Sequence, residues 1–169
     1  MGDAILSLII EQERHSHGPH IDHLLNVAFG PGRFTKTAER LREGNTAIAE
    51  LCLVAFEDGT MRASVRFWPI LIGMTPALLL GPLAVDPSHR GKGTGIRLME
   101  TALAKAKNMG HQIVLLVGDE PYYARVGFQK VPAGQMIMPG PVDPGRLLAA
   151  ALVDGALDDV SGKILAGRK

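Results

Sequence analysis

An apolar run from Leu78 to Val85 leads within a few residues into Arg90-Gly91-Lys92-Gly93-Thr94-Gly95, three glycines and two basic residues in six positions. Few junctions restrict a fold more. The run has the length of a strand. Beyond the junction Ile96, Met99, Leu103 and Ala106, with Ala102 beside them, form an apolar helical stripe that Gly110 stops. Glycines between a strand and a helix let the backbone turn tightly and let its N–H groups converge on a ligand without Cβ interference. The helix start adds unpaired N–H groups and the positive end of its dipole. The junction therefore predicts an anion site of the phosphate type, with Arg90 and Lys92 at its rim. Two nucleotide patterns fail there. A P-loop needs Ser or Thr after its lysine, and Lys92 is followed by Gly93; a dinucleotide turn needs a third glycine where Ile96 stands.

The flanking sequence predicts one α/β domain with a mixed sheet, spanning 1–169. Ile5 to Glu11 reads as a strand, and Ile21, Leu24, Leu25 and Ala28 as a helix face that Gly30 and Pro31 end. "TKTAERLREG" predicts a second short helix, with Thr35 or Thr37 as its cap and Gly44 as its stop. Asp58-Gly59 marks a hairpin between two strands. Pro82 lies inside the next strand, where a residue without an N–H marks a bulge, a local opening or a sheet edge. "QIVLLVGDE" reads as a strand covered on both faces, Pro121 opens a short helix, and Phe128 to Val131 form a further strand. The tail predicts a helix from about Pro144 to Val153 and a strand near Ser161 to Ala166.

Composition removes several classes of function. A net charge of +1 gives no broad attraction for nucleic acid or an anionic membrane, so neither partner is expected. "MGDAILSLII" lacks a basic n-region and a small-residue cleavage site, which predicts no signal peptide. The single cysteine, Cys52, excludes an intrachain disulfide and a cysteine-built zinc site, fits the cytoplasm, and reads as a buried, inert thiol. His15, His17, His20 and His23 crowd the first helix start without a carboxylate or cysteine to complete a metal set, and read as a solvated helix start. No metal is expected.

The pattern R-x-x-G-x-G, as Arg90, Gly93 and Gly95, resembles the pyrophosphate-binding motif of the GCN5-related N-acetyltransferases (GNAT). The surrounding sequence resembles that superfamily from "LGPLAV" to the Tyr-x-x-x-Gly-Phe of Tyr123, Gly127 and Phe128, and is most similar to its acetyltransferases of the YhbS type. The core resemblance spans about residues 5–132. It implies the GNAT fold, a central mixed, mostly antiparallel sheet flanked by helices and splayed between its fourth and fifth strands. It further implies acetyl-CoA as cosubstrate, with the pyrophosphate on Arg90, Gly91, Lys92, Gly93, Thr94 and Gly95, and the pantetheine arm against Leu83, Ala84 and Val85.

The implied reaction is transfer of an acetyl group from a thioester to a primary amine by direct attack. The acceptor would be a small molecule or a peptide. Tyr123 matches the superfamily's tyrosine general acid, with Tyr122 one residue away as its competitor for that role and a second cofactor contact. Asp119 ends the fifth strand, where it either reaches the cofactor or caps the Pro121 helix. No base is assigned. Arg33 and Arg40 are candidates to meet an acidic acceptor, and Trp68 is core or cleft wall. A homodimer is compatible with this reading. The rival reading is a non-catalytic acyl-CoA sensor using the same cofactor site.

Overall fold

The computed structural model describes residues 8–30 and 36–167. Ile5, Arg33 and Thr35 lie outside them. The strands are β1 (Leu8–Gln12), β2 (Leu53–Glu57), β3 (Thr60–Ile72), β4 (Thr75–Val85), β5 (Ile113–Val117), β6 (Gln129–Lys130), β7 (Met136–Ile137), β8 (Leu147–Ala151) and β9 (Gly162–Ala166). The α-helices are α1 (Gly18–Phe29), α2 (Glu39–Arg42), α3 (Thr94–Asn108) and α4 (Glu120–Tyr123). The sheet runs β1-β2-β3-β4-β5-β8-β6, and β9 pairs with the far half of β3 and with β7. Its ladders are antiparallel except β4–β5 and β7–β9. This is the mixed, mostly antiparallel sheet that the resemblance implies.

Alternation along the strands sends side chains into two opposed cores. Leu78, Leu80, Val114 and Leu116 meet Leu98, Met99, Ala102 and Ala106 of α3 on one face. Ala77, Leu79, Ile113 and Leu115 point the other way, where Leu41 of α2 and Met136, Met138 and Ile164 of the tail cover them. On that second face Ile21, Leu24 and Leu25 of α1 also bury Val54, Met61 and Ala84. Both faces of β4 and β5 are thus covered, which explains their nearly unbroken apolar sequences.

The hairpin falls where predicted, with Asp58 at φ 52° and Gly59 at φ 78°. The tail departs from expectation. Pro144–Arg146 is one 3₁₀ turn, and Leu147–Ala151 is a strand rather than a helix, paired antiparallel along its length with β5. Four of its five residues are buried. Ladder bonds and burial against β5 outweigh the helix propensity of three alanines, which amounts to no more than a few tenths of a kcal/mol each.

Two smaller expectations also change. α2 is only four residues long, and Thr37 does not cap it: its Oγ1 donates to the Pro141 carbonyl instead. His17 is buried rather than solvated, its Nδ1 accepting from the Arg14 N–H at 2.9 Å and its ring lying 5.4 Å from that of Phe56. Cys52 is buried as expected, and desolvation pushes its thiol up to about 11.

Candidate active site

β4 and β5 pair at only two positions, Leu78 with Val114 and Leu79 with Leu115. Beyond them β4 bulges. Phe67 opposes Leu80 and Val65 opposes Leu83, so Gly81 and Pro82 together face Arg66. Trp68 fixes the bulge by donating Nε1–H to the Gly81 carbonyl at 2.6 Å. Pro82 therefore marks an opening inside the sheet rather than an edge strand.

Past the bulge the Asp86 N–H donates to the Arg62 carbonyl of β3 at 2.7 Å. Successive N–H groups of an extended strand alternate in direction. The Ala84 N–H accordingly faces β3, while those of Leu83 and Val85 face the side from which β5 has departed. A free strand edge is left inside the sheet.

The opening forms a cleft of about 1110 Å³. Leu83, Val85, Arg90, Gly91, Gly93, Thr94, Gly95, Asp119, Tyr122 and Tyr123 of the predicted site all line it. Ala84 and Lys92 are not brought to its wall, and the Ala84 side chain packs beneath α1.

The glycine turn takes the geometry its composition requires. Asp86 accepts from the Ser88 N–H at 2.9 Å and starts a 3₁₀ turn at Pro87. Gly91 and Gly93 both adopt φ 82°, and a Cβ at either would meet nothing within 4 Å. That is open space above a positive-φ backbone. Gly93 is the N-cap of α3 and contributes no side chain to the helix end. Gly95 is needed for a different reason. A Cβ there would collide with the Tyr122 hydroxyl and come 3.1 Å from Val85 Cγ2. Gly95→Ala is expected to cost about 1–3 kcal/mol through overpacking, read as a lowered Tm.

The tyrosines follow from α4 and its stop. Gly127, at φ 96°, ends the short helical segment and returns Phe128 into the core. The Tyr123 ring is wedged against Gly118, with Tyr122 at 5.0 Å and Phe128 at 6.1 Å between centroids, both edge-to-face. Burial pushes the Tyr123 phenol up to about 12, so it holds its proton throughout the neutral range. Burial raises Tyr122 as well, against the lowering influence of Arg125.

Sequence reasoning missed several residues around the cleft. Asp119 makes no side-chain cap bond to α4; its carboxylate pairs with Arg146, 27 residues away and inside the segment predicted to be helical. His89, given no role from sequence, is buried behind the turn and bonded to Glu57 across 32 residues, with Ser88 Oγ 3.1 Å from its other ring nitrogen. Arg40 donates to the Pro139 carbonyl at 2.9 Å and does not line the cleft, whereas Arg42 does. Among the described residues no group of three or more His, Cys, Asp or Glu could hold a metal ion, and no helix is long and apolar enough to cross a membrane.

A strand bulge, a gap between parallel strands and a glycine turn at a helix start together define a fold, and comparison with known proteins agrees. Residues 49–130 match the family described as the acetyltransferase (GNAT) domain. The N-acetyltransferase YhbS of Escherichia coli K12 is 29% identical over 160 residues, covering 93% of this chain and 95% of its own. Its crystal structure in complex with CoA superposes with a TM-score of 0.81 at 28% identity, over 95% of this chain and 89% of that one. A GNAT acetyltransferase of Brucella melitensis, solved with acetyl-CoA, gives a TM-score of 0.61 at 28% identity, over 89% and 98% of the two chains. Residues 49–130 form a GNAT acetyltransferase domain, and the chain is an N-acetyltransferase.

Proposed function

We propose that the whole chain works as one cytoplasmic domain that moves an acetyl group from acetyl-CoA to a primary amine by direct attack. The observation that carries this is the free edge of β4 ending in the glycine turn, one continuous track for an extended amide-bearing arm and its diphosphate. Open space above Gly91 and Gly93 fits a diphosphate, with Arg90 beside it. The two E. coli and Brucella relatives that hold CoA or acetyl-CoA support the same occupant.

The cosubstrate supplies an activated acetyl thioester; the protein positions it and manages charge. The Leu83 and Val85 N–H groups pair with the pantetheine amides or face the carbonyl oxygen that gains charge. The N–C bond forms as the C–S bond breaks, the amine loses one proton, and the departing thiolate gains one. Tyr123 is the donor to the thiolate, being protonated at neutral pH and on the cleft wall. Tyr122 packs its hydroxyl over Gly95 and belongs to the cofactor wall. Asp119, paired with Arg146, shapes the rim nearby.

Calorimetric titration with acetyl-CoA, with NAD and ATP as controls, is the direct test. Micromolar binding of acetyl-CoA alone, followed by amine-dependent thiol release, is expected. Binding without thiol release from any amine would make the protein a sensor, and no binding would remove the cofactor site.

A further inference from the structure

The acceptor end of the cleft lies between the end of α1, the start of α2 and the 141–143 loop. Ala28, Phe29, Ala38, Pro82 and Val142 make most of it apolar. Among the described residues Lys36 and Arg42 are its cations, and the Lys36 ammonium lies 5.1 Å from the centre of the Phe29 ring.

Arg42 is unlike a surface arginine. Its side chain is only 12% exposed, and its Nε donates to Glu39 at 3.1 Å. The Nη end points elsewhere: a Cβ built on Gly81 would stand 3.5 Å from Nη1. Gly81 lies two residues beyond Leu79, the last position at which β4 pairs with β5. The guanidinium fork therefore stands at the mouth of the gap, where the acceptor must approach.

Resting on the acetyltransferase reading, we propose that the acceptor is a free amino acid, whose carboxylate Arg42 grips while its amine faces the thioester. A guanidinium matches a carboxylate with two parallel hydrogen bonds, and burial strengthens them. Desolvation lowers the Arg42 pKa despite Glu39, so the cation sits in a place that costs it hydration. A second anion would offset that cost. Carboxylates already on the cleft wall do not serve, because Asp119 pairs with Arg146 and Asp143 accepts from the Gly145 N–H at 2.9 Å. A polyamine or aminoglycoside would bring further positive charge against a buried guanidinium, which costs binding.

The test compares the common L-amino acids with their carboxamides in a thiol-release assay, for the wild type and for Arg42→Gln. At least one amino acid is expected to exceed its carboxamide about tenfold or more in kcat/KM, the worth of one charge-assisted bidentate pair. In Arg42→Gln that preference should collapse, chiefly through a raised KM for the acid. A merely structural role for Arg42 would lower acid and carboxamide alike. If Arg42→Gln does not fold, Arg42→Lys keeps the charge without the fork, and the preference must fall there too.

Three results overturn the proposal while leaving the acetyltransferase reading intact: carboxamides used as well as acids, a preference that survives in the folded variant, or thiol release with other amines while no amino acid is acetylated. Failure to bind acetyl-CoA takes down both readings.

Discussion

Gly93→Asp abolishes acetyl-CoA binding in a chain that still folds. Gly93 occupies the left-handed region, at φ 82°. A residue with a Cβ pays about 1–2 kcal/mol there, and aspartate is among the more tolerant. Nothing lies within 4 Å of the new Cβ, so no clash adds to that cost. The damage is electrostatic. A carboxylate about 4 Å from a phosphate charge at an effective dielectric near 20 opposes it by about 4 kcal/mol, roughly a thousandfold in affinity. Calorimetry should find no heat of binding, while far-UV circular dichroism stays close to wild type. Gly93→Ala carries the backbone strain without the charge and should retain measurable binding. Normal affinity in folded Gly93→Asp would move the diphosphate away from this turn.

Tyr123→Phe lowers kcat by about 10²–10⁴-fold, the range for loss of a positioned general acid, with acetyl-CoA affinity little changed. The ring packing against Gly118, Tyr122 and Phe128 survives the substitution, because only the hydroxyl is lost. Tyr122→Phe should leave kcat within a few-fold, which separates the neighbouring tyrosines. An unchanged kcat in Tyr123→Phe would take the residue out of the mechanism.

The pH dependence has a definite sign. A phenol at about 12 in the folded protein, against about 10 when unfolded, favours the native state below pH 10 and loses that contribution as pH rises towards 12. Tyr123 should therefore cause no fall in activity at moderately alkaline pH. A fall there would report another group.

The strand, glycine turn and helix were legible because each rests on local chemistry: an apolar run, residues free to take positive φ, and a stripe at helical spacing. Tyr123 was singled out only through the resemblance of its Tyr-x-x-x-Gly-Phe pattern, with Tyr122 as the alternative, and both rings line the cleft. What escaped reading was non-local. Asp119 with Arg146 and Glu57 with His89 are pairs that only the folded sheet brings together. The Leu147–Ala151 strand looked helical because three alanines say nothing about the β5 edge waiting for them. Arg42 was passed over for Arg40 because α2 has four residues, too few to reveal which arginine faces inward. The alternation past the bulge is subtler still. It separates the N–H of Ala84 from those of Leu83 and Val85, and only the Asp86 bond to Arg62 sets its phase.

The two-position seam between β4 and β5 bears on more than catalysis. It is the only ladder joining β1-β2-β3-β4 to β5-β8-β6 among the described residues, so the sheet resembles two panels sharing a very short hinge line. On the proposed reading, an occupant that bonds to the free edge of β4 and packs beside Tyr122 also braces one panel against the other. Thermal stability should then track occupancy, with about 2.7 kcal/mol gained at a ligand concentration one hundred times the Kd. Each product release would leave the sheet one strut short until the next cosubstrate arrives.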